Sequence, residues 1–456
     1  MTVSPQPAPE AREGLARRLG LFDATLIVMG GIIGAGIFMN PYVVARELHT
    51  PALILAAWGA GGLIALVGAF VYAELAALRP GVGGQYAYLR DAYHPVVAFL
   101  YGWTLLLVSQ TGGMAAVAMT FAGYFRALVG VDVPAAVVAV SALAMLTVVN
   151  MRGVRTGANV QGALMVLKVL AIAMLVSVGW LAVAGPAASA PAAPSPRGTA
   201  LAFAAAMVPV LFAYGGWQTA SFMSGELKEP RRDLPRGLLI GVVGVVVLYL
   251  AVNAVSLRAL GPAGLAATTT PASDVMHRAI GPIGARLIAA GIAISSLGFL
   301  SQGMLTAPRV YYAMARDGVF FERVGWLDPR TRAPSVAIAV QGAWAAVIVL
   351  SGEYEEILSY VVAIDAVFFG LTGAALLVFR RRHMPASDNG ATGGFRTPGH
   401  PWTTVVFVAA FCVLAITTVA QFPRSAGIGI LILLAGLPVF RWWNHRARTR
   451  RQAERG

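Results

Sequence analysis

The stretch Gly30-Gly31-Ile32-Ile33-Gly34-Ala35-Gly36-Ile37-Phe38 lies inside an apolar run from about Leu21 to Val44. Such a run can cross a bilayer as about 20 helical residues. Its glycines oppose a continuous helix, since each costs about 1 kcal/mol relative to Ala. In hydrocarbon, backbone groups freed by a break cost several kcal/mol each unless something satisfies them. A membrane helix opened at its midpoint therefore points to a ligand. The N–H groups of its second half suit an anion, and the last carbonyls of its first half suit a cation. A zwitterion such as an α-amino acid fits both ends. The competing expectation is that the glycines only let two helices pack closely, as small-xxx-small patterns do.

Similar apolar runs fill the 456-residue chain, which is 58% hydrophobic and 12% charged with a mean hydropathy of +0.72. These values exclude an ordinary soluble globule and indicate a polytopic membrane protein. The one cysteine, Cys412, lies in an apolar run and excludes an internal disulfide or a cysteine metal cluster. Twelve spans are predicted, near 21–45, 51–78, 95–126, 133–150, 157–184, 200–223, 236–260, 282–314, 333–350, 356–379, 402–422 and 425–443. The third and eighth exceed one crossing and are expected to tilt or to protrude. Gly185–Pro196 reads as a linker and Gly261–Ile280 as a longer loop, with room for a short helix. Residues 1–18 form a basic tail directly followed by a full-length span, so a tail rather than a cleaved signal is expected.

The formal charge of +14 does not indicate nucleic acid. Arg46, Arg126, Arg197, Arg258, Arg278, Arg286 and Arg424 fall at or near one side of the predicted spans, and Lys168 falls within a span. All other Lys and Arg collect on the opposite side, which the positive-inside rule makes cytoplasmic. Both termini are then cytoplasmic, and the expected location is the cell (inner) membrane.

A second interruption, Phe212-Ala213-Tyr214-Gly215-Gly216-Trp217-Gln218-Thr219, lies in the middle of the sixth span. If spans one to five and six to ten are two repeats, the interruptions correspond. Paired interruptions mark the midplane site of secondary transporters. Five is odd, so the repeats must insert with opposite topology. The predicted fold is thus an all-α membrane protein of 12 transmembrane helices, a 5+5 inverted repeat with broken helices 1 and 6 followed by two further helices. Its core covers 19–380 (repeats near 21–184 and 200–379), followed by a loop at 381–401, helices 11 and 12 at 402–443 and a basic tail at 444–456.

The two interruptions, Ser224–Arg236 after the second, Tyr72-Ala73-Glu74-Leu75 with Gly83-Gly84-Gln85-Tyr86, and Ala315-Arg316-Asp317-Gly318 together resemble the amino acid–polyamine–organocation transporter superfamily. Within it the chain is similar to bacterial amino acid permeases related to the L-type exchangers. The resemblance covers about residues 17 to 443 and implies a five-plus-five inverted-repeat core, two peripheral helices and alternating access. It implies that the N–H groups of Gly34, Ala35 and Gly36 receive a substrate carboxylate. Carbonyls near Ile32 and Ile33, with those of Phe212, Ala213 and Gly215, would receive the amine. Gly215 and Gly216 would leave space for a side chain, Gln218 and Trp217 could line the pocket, and Phe212 resembles the aromatic that closes over substrate. Packing roles for Trp217 and Phe212 stay open.

Lys168 lies about 16 Å into its span at 1.5 Å per residue, too deep to reach either interface easily. An ionisable group there is a functional candidate. By resemblance, a fifth-helix lysine in several sodium-independent members takes the place of a sodium ion beside the first helix. Lys168 should then contact carbonyls near Gly30–Ile33, either as a proton-coupling group or as a brace that never titrates. Glu74 reads as a gate, topology or anchoring residue, Asp365 as a partner in a local hydrogen bond, and Asp23 as a helix cap. Glu226, Glu229, Asp233 and Asp317 are candidates for ion pairs that the sequence does not assign. No histidine has metal-ligand spacing, and no Gly-x-x-x-x-Gly-Lys loop is present, so neither cofactor nor metal is expected.

The expectation is a non-enzymatic, sodium-independent transporter of small or medium neutral amino acids, by exchange or proton symport. Gln218 puts no carboxylate at the sixth-helix site for a cationic side chain. The alternatives are a cationic amino acid or polyamine carrier, with Glu74 or Asp365 reaching the pocket, and a non-transporting amino acid sensor. Partners would be the substrate, the lipid bilayer and, for symport, protons, with no nucleic acid and no obligatory protein partner.

Overall fold

The computed structural model describes residues 15–183, 185, 198–352, 354–383, 395–421 and 423–453. Most of the predicted N-terminal tail, the Gly185–Pro196 linker and the 381–401 loop, and the last three residues of the chain, lie outside the described residues. The described residues are helical apart from connecting segments and one isolated bridge, Leu19 with Leu227.

The helices in order are α1 (Leu21–Ile32), α2 (Gly36–Glu47), α3 (Pro51–Leu78), α4 (Gln85–Ala92), α5 (Pro95–Thr104), α6 (Gln110–Val129), α7 (Ala135–Met151) and α8 (Val154–Ala182). They continue with α9 (Thr199–Tyr214), α10 (Pro230–Ala267), α11 (Pro271–Thr306), α12 (Pro308–Arg316), α13 (Ser335–Ser351), α14 (Tyr354–His383), α15 (Trp402–Gln421) and α16 (Pro423–Ala453). A π-helical turn, Leu105–Ser109, joins α5 to α6, and a 3-10 segment, Trp217–Glu226, follows α9.

Local chemistry explains where these helices begin. Proline opens α3, α5, α10, α11 and α12, where its missing N–H is not needed and its fixed φ is already helical. Thr50 caps α3 by accepting from Leu53 N. Asp23 does not occupy the cap itself. It sits in the first turn of α1 and reaches back to the N–H of Gly20 at 3.0 Å, while Arg155 pairs with the same carboxylate.

Among the described residues eight helical stretches are long and apolar enough to cross a membrane, and the bent pair α1/α2 makes a ninth. Helices α7 and α13 are apolar but only 17 residues long. The chain is therefore an all-helical, multi-pass membrane protein. The predicted loop Gly261–Ile280 is mostly helix. Gly261, at φ +68°, turns α10 sharply, and Pro262 restarts it as far as Ala267. After three residues Pro271 opens α11, which kinks at Ile280 and Gly281 before the long apolar stretch. Each proline here starts a helical turn rather than ending one, which is why a proline-rich segment looked like a loop.

Candidate functional site

The glycines of the first apolar run divide between two tasks. Gly30 and Gly31 remain inside α1 and serve contact. A Cβ on Gly30 would lie 1.9 Å from the Gln161 side chain, and one on Gly31 would lie 2.6 Å from the Gly216 carbonyl oxygen. The helix stops at Ile32, Ile33 turns extended (φ −77°, ψ 95°), and α2 restarts at Gly36, with a bend of 43° between the two halves. The second break falls at Gly215 and Gly216. Gly216 has φ +113°, and a Cβ there would lie 2.1 Å from the Gly31 oxygen. The two broken helices thus meet backbone to backbone at Gly31 and Gly216, an approach that only glycine permits.

The carbonyls at these breaks have partners within the chain. Lys168, fully buried on α8, donates from Nζ to the Ile33 oxygen. Tyr249 on α10 places its hydroxyl between the carbonyls of Ile32 (3.0 Å) and Ala213 (3.2 Å). Ser295 on α11 donates to the Gly34 oxygen at 3.1 Å, and the Gly215 N–H donates to Phe212 O. Gln218 turns back so that its Oε1 accepts from the Gly216 N–H at 3.0 Å. Each carbonyl oxygen keeps a second lone pair for a ligand. The start of α2 differs, because the first N–H groups of a helix have no carbonyl to bond to within it. The partial positive charge of the helix terminus is centred on them.

These breaks border a cavity of about 370 Å³. Of the predicted site residues, Ile32, Gly34, Ala35, Gly36, Phe212, Gly215, Gly216 and Gln218 line it. Ile33 and Ala213 lie behind the wall, their oxygens turned to Lys168 and Tyr249, and Lys168 is not in the wall either. Phe212 projects into the space and is 42% exposed. Trp217 takes the packing alternative: it is 1% exposed, stacks on Phe369 at 5.2 Å and meets Tyr72 edge-on.

The cavity runs from the breaks along α2 past Met39, Asn40 and Tyr42 and along α6 to Thr120, away from the end of the bundle where the basic residues collect. That basic end is closed by paired charges. Glu226 and Arg309 form a bidentate pair at 2.9 Å, both fully buried, and the backbone oxygen of Glu226 accepts from Arg18 and Leu19 N–H. Asp317 accepts from Tyr86 Oη at 2.8 Å and from Arg90 at 2.7 Å. Burial alone would lower the Arg90 guanidinium, but its bonds to Asp317 and Asp91 outweigh this and raise it. Glu74 is consumed by Arg380 (2.8 Å to each oxygen) and by the Thr397 N–H (2.7 Å), so it anchors the start of the 395–401 segment and does not reach the cavity.

Asp365 does reach it. Several residues that contribute most to the site were not singled out from the sequence: Tyr249, Ser295, Gln302 (whose Nε2 donates to Thr219 Oγ1) and Ser109. Ser295 and Gln302 carried one signal, a polar residue inside an apolar helix. Ser109 carried none, because its position depends on the extra residue that the π turn inserts.

Residues 19–435 match the amino acid permease family. The chain is 30% identical to the serine/threonine exchanger SteT of Bacillus subtilis, over 94% of this chain and 97% of SteT. It is 28% identical to the mouse Asc-type amino acid transporter 1 (94% and 81%) and 28% identical to the human large neutral amino acids transporter small subunit 2 (96% and 84%).

Proposed function

The chain belongs to the amino acid permease family, within the amino acid–polyamine–organocation superfamily, and from that premise we propose that it exchanges small or medium neutral amino acids across the cell membrane, without sodium, by alternating access. The relatives whose names state a substrate class act on serine and threonine or on large neutral amino acids. The observation that carries the reading is the geometry of the first break. The unbonded N–H groups at the start of α2 face a cavity, whereas the carbonyl end of α1 is already met by the Lys168 ammonium. A substrate carboxylate settles on the former. The lysine, as a resident cation, does the work of a bound sodium ion. Because it sits behind the wall and is fully buried, its role is that of a brace, and exchange is favoured over proton symport.

Taking α7, α13 and α14 as spans gives twelve, with both termini and the basic end in the cytoplasm. The inverted repeat is supported by packing between corresponding elements: α2 with α9, α3 with α10, α6 with α11 and α7 with α13. With the basic end inside, the cavity opens outward and the charge pairs close the cytoplasmic side. The chain works without an obligatory protein partner. A cationic substrate is the second reading, favoured by Asp365 in the cavity wall.

The test is radiolabelled amino acid uptake into proteoliposomes with internal substrate, sodium and the pH gradient varied independently. Uptake that needs internal substrate and ignores both gradients is expected. Uptake into empty vesicles driven by protons would replace exchange with symport. Binding without movement would identify a sensor.

A further inference from the structure

The basic end of the bundle holds a second hollow, separate from the cavity at the helix breaks. It lies between the end of α12, a 3-10 turn at Glu322–Gly325 and the start of α13, and its wall includes Arg316, Glu322, Arg323, Trp326 and Val336. The turn is held in place by packing. Val324 is buried in the core, and Gly325 lies so close to α12 that a Cβ on it would stand 3.3 Å from the Cβ of Ala315. Arg316 and Arg323 are exposed, and among the described residues neither guanidinium takes part in an ion pair. Glu322 is the one carboxylate in the wall, which leaves it a net positive charge. The hollow sits at the level of a membrane surface, because two of the apolar stretches able to cross a bilayer, Pro271–Arg316 and Ala426–His445, end beside it. Phe321 joins those ends by meeting Trp443 edge-on at 5.0 Å. Phe321 and Trp326 are 58% and 47% exposed, as amphipathic and aromatic side chains at a bilayer interface are. Beyond His445, α16 continues into a segment that carries Arg446, Arg448, Arg450 and Arg451. From the hollow, Val336, Val340, Val347 and Leu350 follow one another along one face of α13, and the last two are exposed.

We propose that this hollow binds the headgroup of an anionic phospholipid, with the phosphate between Arg316 and Arg323 and an acyl chain along the Val336–Leu350 face of α13. A guanidinium presents paired N–H donors that match two phosphate oxygens. A basic pocket between membrane helices is a general means of holding such a headgroup. The net positive charge of the wall complements a single phosphodiester, and the exposed Trp326 gives the glycerol region an amphipathic neighbour. A free phosphate would use the arginines but neither the aromatic side chains nor the apolar face of α13. A lipid uses all three. Such binding is independent of which substrate the chain carries.

The experiment uses the full chain purified in a neutral detergent and reads bound lipid by native mass spectrometry. Dioleoyl phosphatidylglycerol is compared with dioleoyl phosphatidylcholine, which has the same acyl chains and no net charge. In the wild type the first phosphatidylglycerol should bind about tenfold more tightly than the first phosphatidylcholine, the scale set by arginines at a membrane surface. Arg316→Gln with Arg323→Gln should bring that ratio close to one and leave phosphatidylcholine binding unchanged. Each single variant should lower the ratio several-fold, which keeps the test open should the double variant fold poorly. Arg231→Gln with Arg330→Gln, two exposed arginines outside the hollow, should leave the ratio as it is in the wild type. An equal loss in that control would overturn the site, because basic charge in general would then hold the lipid. Equal binding of the two lipids by the wild type would overturn it as well. So would displacement of phosphatidylglycerol by an equal concentration of inorganic phosphate, since the hollow would then be a phosphate site with no use for acyl chains.

Discussion

The two ends of the bundle treat their acidic side chains in different ways. At the basic end, the Glu226, Asp317 and Glu74 carboxylates each meet a guanidinium within the chain. In the cavity, Gln85 Oε1 is buried without a partner, and among the described residues no guanidinium or ammonium pairs with Asp365. Lys168 sits near the second region but belongs with the first, since its ammonium is closed onto Ile33. A charge that is satisfied internally holds the fold or a gate, and one left open is kept for something that comes and goes. Depth in the membrane does not distinguish the two, because Lys168 and Asp365 both lie well inside their helices.

Breaking a pair at the closed end should have the largest effect. Arg309→Met leaves Glu226 buried without its partner, and such a loss costs about 3–5 kcal/mol. A large drop in melting temperature in detergent is expected, partly restored in Arg309→Met with Glu226→Gln. A near wild-type melting temperature for the single variant would erase the contrast between the two ends.

Next comes the contact between the breaks. Gly216→Ala meets both a positive φ and the Gly31 oxygen at 2.1 Å, and should destabilise by about 2–3 kcal/mol with loss of exchange. Gly113→Ala, facing open space, should leave the melting temperature unchanged, so the two alanines compare packed and open glycines directly.

Lys168→Met leaves the Ile33 carbonyl without its donor, at about 1–3 kcal/mol. Exchange should fall about tenfold or more, with no change in the pH dependence of what remains. A shifted pH profile with the rate preserved would move Lys168 into the open class.

The smallest effect concerns His400, which shares a hydrogen bond with Thr404 Oγ1 at 2.9 Å. Burial and the nearby Arg380 disfavour its charged form and lower its titration from about 6.5. The unfolded chain then takes up a proton more readily than the folded one. Stability is therefore complete above about pH 6.5 and declines as pH falls through the lower folded value. His400→Asn should reduce the difference in melting temperature between pH 7.5 and pH 5.5, and an unchanged difference would assign the acid sensitivity to other groups.

Much of this is legible in the amino acid sequence. Breaks in helices and apolar spans are local properties, dictated by glycine's conformational cost and by the length of chain needed to cross a bilayer, so Gly30–Phe38 and Phe212–Thr219 could be found by reading along the chain. The depth of Lys168 in its run was legible for the same reason. The division among glycines was not: Gly30 and Gly31 look like Gly34 and Gly36, and only their neighbours, Gln161 and Gly216, separate packing from opening.

Pairing decisions between distant parts of the chain belong to the tertiary structure alone. Glu74 and Asp365 are both acidic residues within apolar helices, yet Glu74 is neutralised by Arg380, 306 residues away, and Asp365 faces the cavity. Tyr249 reaches Ile32 across 217 residues. A charge in a membrane reports its cost through the residues around it in sequence, but whether that cost is met inside the chain or left for a ligand depends on which helices pack against it. That is why the amino acid sequence established the class of protein and the position of its breaks, and three-dimensional packing settled which polar groups remain open.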